Sequence, residues 1–313
     1  MKLNSSWVIC FVVVLAGSLV AFSAGPSLAQ MGMPAAGSGA KVSWKISLAP
    51  VYQFNTNLSD GGSFKASRLF FNAGASINVA RSTQLGLGFQ YDIENYDFSG
   101  DTKFPGGSPW NQVQRIGFDA RLQHAFGQRW SAFFSPSVQW SAETDASLSS
   151  AITYGAVFGG SYAFSRSLVI GLGASAFRDI EEKRAFPFIM LFWQITPQWR
   201  LSNPLRPGPA GPAGLEVSYT PNQHWQFGLG GAWRSFRFRL DDTGVAPDGV
   251  GENNFVPVFI RATRTILPQL DIDFYTGALF AGELVVEDDE GRKLVSDQHG
   301  IAPFVGLSFI GRF

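Results

Sequence analysis

Ten ionised side chains sit on the polar side of segments that alternate apolar and polar: Arg68, Asp92, Glu94, Arg115, Asp119, Arg121, Arg234, Arg261, Asp271 and Asp273. Five are cations and five are anions. Such a set, facing one confined space, has two uses. Neighbours of opposite sign neutralise each other, because a buried charge without a partner is costly. Charges left without partners select solutes by sign. Register counted back from the loop at 99–111 sets Glu94 roughly opposite Arg115, and Asp271 and Asp273 fall one hairpin from Arg261. That placement favours pairing, with charge selection as the alternative.

Covalent chemistry has weaker support. Nucleophilic catalysis needs a nucleophile and a base held together. The three histidines are His124, His224 and His299, and only His299 has Ser296 and Asp297 beside it. Triad members converge from separate elements, so three residues within four positions make a poor triad. We read no enzyme, no cofactor and no metal site. The run Glu287-Asp288-Asp289-Glu290-Gly291 has the charge of a metal loop and the length of a hairpin tip. Arg237 and Arg239 fall near a rim, where they suit an anionic solute, a lipopolysaccharide phosphate, or the nearby Asp241 and Asp242.

An apolar set stands apart. In residues 186–195 the outward phase takes Ile189, Leu191 and Trp193, which turns Phe188, Met190 and Phe192 inward. The preceding segment presents Gly171, Gly173 and Ser175 on the same side. The rings therefore fill space beside glycines, or else form an apolar wall for a hydrophobic solute.

The elements that carry these residues have a period of two. In residues 41–55, Val42, Trp44, Ile46, Leu48, Tyr52 and Phe54 share one face, and Lys45, Ser47 and Gln53 share the other. That is a strand with one apolar and one polar side, and it is longer than the five or six residues of a typical globular strand. The pattern recurs to the C-terminus, giving 14 strands. Twelve is the alternative, because the pair at 198–205 and 214–220 is short and flanks Pro207-Gly208-Pro209-Ala210-Gly211-Pro212. Residues 225–240 change apolar phase, which predicts a bulge near Arg234-Ser235. Short turns at 81–83, 127–129, 165–167, 196–198 and 221–223 alternate with long polar loops at 56–65, 99–111, 143–150, 241–254 and 283–300. This is the layout of an all-β, single, antiparallel up-and-down transmembrane barrel over 41–313. A Lys or Arg on the lipid face near the midplane costs about 2–4 kcal/mol, so the ten charges face the lumen. Trp130, Trp199, Tyr219 and Trp225 lie beside short turns on the outward phase and suit an interfacial aromatic belt.

Composition agrees. There are 313 residues, 14% aromatic, with 35 Gly and 29 Phe, which favours strands and tight turns. Residues 1–29 read as a cleaved signal peptide, with Lys2 at the start, an apolar stretch at 7–22 and small residues at 27–29. Residues 30–40 read as a flexible lead-in. The single cysteine, Cys10, lies in the signal segment, so a mature chain has no disulfide. Lys2 is the only charged side chain there, which leaves 23 basic against 24 acidic groups, or −1, and no footprint for nucleic acid.

The signal segment, amphipathic strands, asymmetric loops and terminal Phe313 resemble a Gram-negative outer-membrane β-barrel. More narrowly, Gly282-Glu283-Leu284, Ala302-Pro303-Phe304 and Arg312-Phe313 resemble a family of barrels of unassigned function. The likeness spans the mature chain. It implies residence in the outer membrane among its lipids and lipopolysaccharide. It also implies insertion by the barrel-assembly machinery, which would read the terminal strand through Phe309 and Phe313. Gly311 departs from that signal, where a bulky residue is usual. The leading expectation is a passive pore or small-solute transporter. Beside it stand a non-conducting structural or surface-binding barrel and a membrane-embedded lipid hydrolase or acyltransferase.

Overall fold

The computed structural model describes residues 42–204, 213–244 and 246–313. The signal segment, the lead-in and the Pro-rich stretch at 207–212 lie outside the described residues. Sixteen strands form one sheet: β1 (Val42–Asn57), β2 (Ser63–Ala80), β3 (Thr83–Ser99), β4 (Gln112–Phe126), β5 (Trp130–Glu143), β6 (Ile152–Ala163), β7 (Leu168–Asp179), β8 (Glu182–Gln194), β9 (Trp199–Ser202), β10 (Gly214–Asn222), β11 (Trp225–Ala232), β12 (Arg234–Arg239), β13 (Val250–Leu267), β14 (Leu270–Glu287), β15 (Lys293–His299) and β16 (Ala302–Arg312). β1 to β11 pair in sequence, β11 pairs β13, β13 pairs β14, β14 pairs β16, and β16 returns to β1. The result is a closed antiparallel barrel of 14 strands, with β12 and β15 as extra strands.

The period of two makes the wall. Trp44, Leu87, Phe134, Phe158, Leu172, Leu229, Ile260 and Phe274 all project outward and are about half exposed or more. A continuous apolar belt around every side of a closed sheet has one fitting solvent, the hydrocarbon of a bilayer. Trp199 packs on Tyr219 with tilted rings at 4.7 Å and Trp130 packs on Tyr162 at 4.7 Å, both beside short turns.

The doubtful pair does join the wall. β9 has only four residues, and above it a side chain continues the ladder. Asn203 accepts from the Leu191 amide (2.8 Å), and its amide nitrogen donates to Gly214 (3.0 Å) and Ile189 (3.3 Å). One asparagine side chain thus joins β8 to β10, beside a main-chain bond from its own amide to the Leu191 carbonyl (3.3 Å).

Two expectations fail at the long-loop end. No bulge occurs at Arg234-Ser235. Gly231 pairs with Val258 and Arg234 with Phe255, one unbroken register across Trp233. Phe236, Phe238 and Leu240 are buried, so they are not on the lipid face. The apolar phase changes because the strand leaves the wall. β12 crosses the lumen and forms a bridge from Arg239 to Ala142 on β5. The irregularity lies instead on β14, where the register against β13 shifts beside Ala281, which has φ 49°. That extra residue turns Leu284 and Val286 onto the lumen side, where both are fully buried. Parts of the stretches read as loops are therefore strand: β13 begins at Val250, β14 runs to Glu287, and β15 continues the register of β16. The crossing sheet packs Phe238, Leu240, Leu284 and Val286 against Phe64, Tyr96, Phe104, Trp110 and Val113. The mouth is filled by an apolar core.

Candidate functional site

Charge in the lumen is arranged in layers. Beneath the apolar plug, the β2 to β4 registers set Arg68 beside Glu94 and Asp92 beside Arg115. Arg68 Nε donates to Glu94 at 2.9 Å and its Nη1 to Gln53 at 3.0 Å. Arg115 Nη1 is shared between Asp92 at 3.1 Å and Glu94 at 3.3 Å. Tyr96 donates to Glu94 at 2.9 Å, and Asn253 of the crossing sheet donates to Tyr96 at 3.0 Å. Phe236 carries Arg115 at 4.6 Å and Arg234 at 4.7 Å from its ring centre. Glu94 and Arg115 do interact, though the directly opposed residue is Asp92, and Arg68 is a partner that loop counting missed. Arg234 is buried beside this group and adds a third cation to two anions.

A second layer stands on β10, β11, β13 and β14. Arg261 is fully buried and holds Glu216 through Nη2, with a second contact from Nε at 3.3 Å. It also donates to Gln226 at 3.1 Å and to Thr263, which passes a hydrogen bond to Asp273 at 2.5 Å. Gly228 lies between Arg261 and Glu216, and a Cβ there would approach the Glu216 carboxyl to 2.9 Å. Asp271 accepts from Arg312 at 2.9 Å and from Thr265 at 2.8 Å. The acidic partner Glu216 was missed. Its signal was available, since it shares the inward phase with Ser218 across from Arg261.

A third group ties the crossing sheet to the far wall. Arg237 donates to the Ile180 carbonyl (2.7 Å), to Glu252 (3.2 Å) and to Glu287. Arg239 donates to the Ser150 carbonyl (2.9 Å), to the Asp248 carbonyl (2.7 Å) and to Glu181. Arg184 of β8 reaches Glu252 at 2.9 Å and Ser235 at 3.3 Å. These partners replace Asp241 and Asp242, the pairing the sequence suggested. Glu181 takes φ 55° in the β7–β8 turn, an uncommon conformation for a residue with a Cβ.

Toward the short turns the lumen opens into a cavity of about 820 Å³. Its polar lining includes Lys45, Asn72, Asp119, Arg121, Arg200, Gln226 and Asp271. Lys45, Gly74, Gly88 and Asp119 share one cross-strand row, with no side chain at the two middle positions. Phe188, Met190 and Phe192 point inward from β8. A Cβ at Gly173 would lie 2.3 Å from Phe188, and one at Gly171 would lie 2.5 Å from Met190. These two side chains therefore sit in the space the glycines leave. Phe192 alone of the three lines the cavity.

The remaining candidates are dispersed. On β15, Asp297 and His299 are buried on one face and Ser296 falls on the other. His299 packs on Gly282 and meets Phe64 edge-on at 5.2 Å, and Asp297 accepts from the Asp60 amide. The acidic run closes as a turn: Asp288 and Arg292 pair at 2.7 Å, and Gly291 takes φ 79°. At the C-terminus, Phe309 faces outward, and Phe313 exchanges main-chain hydrogen bonds of 2.8 and 2.9 Å with Trp44 of β1. The Phe313 ring packs over Gly311, where a Cβ would come within 3.0 Å. A bulky residue there would displace the ring that ends the chain.

A closed sheet, an apolar exterior and a charged interior define a transmembrane β-barrel. Solved structures of similar shape include an outer-membrane channel from Pseudomonas putida F1, at 11% identity and TM-score 0.46 over 90% of this chain and 98% of that one. The P. putida toluene transporter TodX is similar at 7% identity and TM-score 0.44, covering 87% and 90%. The translocator domain of autotransporter NalP from Neisseria meningitidis is similar at 11% identity and TM-score 0.33, covering 90% and 92%. No family model matches this chain, and no curated protein matches it.

Proposed function

We propose that this protein is an outer-membrane channel for small solutes, held shut in this conformation by the sheet that crosses its mouth. One observation carries the reading. A charged cavity of about 820 Å³ rises from the short-turn end and stops below a plug that meets the far wall through side chains and a single main-chain bridge. A wall strand is held by a full ladder, whereas this contact can release without opening the barrel. The long loops face the cell exterior and the short turns the periplasm, as the length asymmetry supports. Insertion uses the terminal strand, and deletion of Phe313 lowers the yield of heat-modifiable barrel in the membrane. Epitopes placed after Gly106 and after Gln128 test orientation: intact cells expose the first and hide the second.

Planar-bilayer recording of the purified barrel tests conduction. The native protein gives rare openings, and Arg237→Ala with Arg239→Ala gives longer ones. No conductance from either, across several salts, sinks the proposal. It would favour the second reading, a non-conducting barrel that binds partners through its loops, to which the filled mouth lends support.

A further inference from the structure

We infer that the cavity at the short-turn end binds a small amphipathic anion, a carboxylate on an aromatic or alkyl body, with Arg121 as its anchor. The inference rests on the solute-channel reading for access to the cavity, but not on passage through the plug. The Arg121 guanidinium lies over the Phe133 ring at 4.6 Å. Its Nε and Nη2 are buried without a hydrogen-bond partner. The acidic charge acting on it is Asp119, two residues along the same strand and in the row that begins at Lys45. The other cavity arginines of known pairing differ: Arg261 is held by Glu216 and Arg312 by Asp271. The side chain as a whole is part-exposed, and its two buried donors are costly because no acceptor meets them. Its third nitrogen, Nη1, is not buried, and a carboxylate in the cavity meets the guanidinium there through a charge-assisted hydrogen bond.

The body of the ligand has a surface as well. Arg200, also on the cavity, lies over Phe192 at 5.9 Å. Phe192 thus presents a ring to the cavity beside a guanidinium group, a pairing of apolar face with cation that matches an amphipathic anion. The volume falls in the range of about 300–1,000 Å³ that small-ligand sites occupy.

Calorimetry on the full barrel refolded in detergent tests this, with benzoate, benzyl alcohol and benzylammonium as probes. Benzoate binds, and the alcohol and the amine bind at least about tenfold more weakly. Arg121→Gln weakens benzoate by about tenfold or more, and Arg121→Lys retains part of the affinity. Both variants keep heat-modifiable migration, since no hydrogen bond of the wall depends on Arg121. The inference is overturned if the native barrel does not bind benzoate. Equal binding of benzyl alcohol, or equal affinity in Arg121→Gln, also overturns it. No membrane is used, so the two failures separate. Binding without conductance defeats the channel, and conductance without binding defeats this site.

Discussion

Above the row of Asp92 and Arg115 the lumen is filled by rings and aliphatic side chains from the crossing sheet, β2 to β4 and the β3–β4 loop. Below it, on the β10 to β14 wall, Arg261 is enclosed by Glu216, Thr263 and Asp273. Across the same cavity Arg121 has a ring beneath it and two donors without acceptors. Both arginines are inward residues on long strands, and the sequence pattern does not distinguish them. What separates them is whether a carboxylate lies within hydrogen-bond reach of the guanidinium. Glu216 reaches Arg261 across Gly228, whereas Gly86 stands beside Arg121 with nothing to offer. Arg261 belongs to the architecture of the wall, and Arg121 borders open space.

The comparison can be broken at several points. Arg261→Gln should cost the most, about 3–5 kcal/mol, because Glu216 and Asp273 would remain buried without their cation. Denaturant unfolding in a reversible lipid-refolding system measures it, and a loss under 1 kcal/mol would remove the structural role. Glu94→Gln and Arg115→Gln should couple by about 1–3 kcal/mol in a double-mutant cycle. Because Arg68 and Asp92 share the network, the double change should still be less stable than native. Zero coupling would mean that the two groups act independently.

Asn203→Leu removes the side chain that continues the wall, and should cost about 1–3 kcal/mol by leaving main-chain groups of Leu191 and Gly214 without partners. Asn203→Asp tests the same point more finely, since it keeps the acceptor for Leu191 and loses the donor to Gly214. The smallest effect belongs to Arg121→Gln, within about 0.5 kcal/mol of native. A large loss there would place Arg121 among the structural arginines and erase the contrast.

Much of the wall was legible because lipid on one side and a confined lumen on the other enforce period two along most of β1 to β7. The inward phase of Phe188, Met190 and Phe192 followed from the same rule. The crossing sheet was not legible for a physical reason. Phe236, Phe238 and Leu240 look the same whether they meet lipid or a buried core, and a phase change reads as a bulge when strands are assumed to stay in the wall. A cue existed at Gly282, which accepts the His299 ring beside the Ala281 bulge. It marks close packing inside β14, but only once the partner is known. Ion-pair partners were legible as sets of inward residues and not as pairs, because arginine reaches across one or two strands, as Arg261 does to Glu216.

The central claim is that β12 closes a conducting lumen by crossing to β5. Its most direct test uses Ala142→Cys with Arg239→Cys, the two positions joined by the bridge, together with Cys10→Ser, which removes the one native cysteine of the sequence. Conductance is recorded in planar bilayers before and after oxidation. The account predicts frequent openings in the reduced barrel, silence after the disulfide forms, and recovery with reductant. Equal conductance in both states, or none in either, would contradict it.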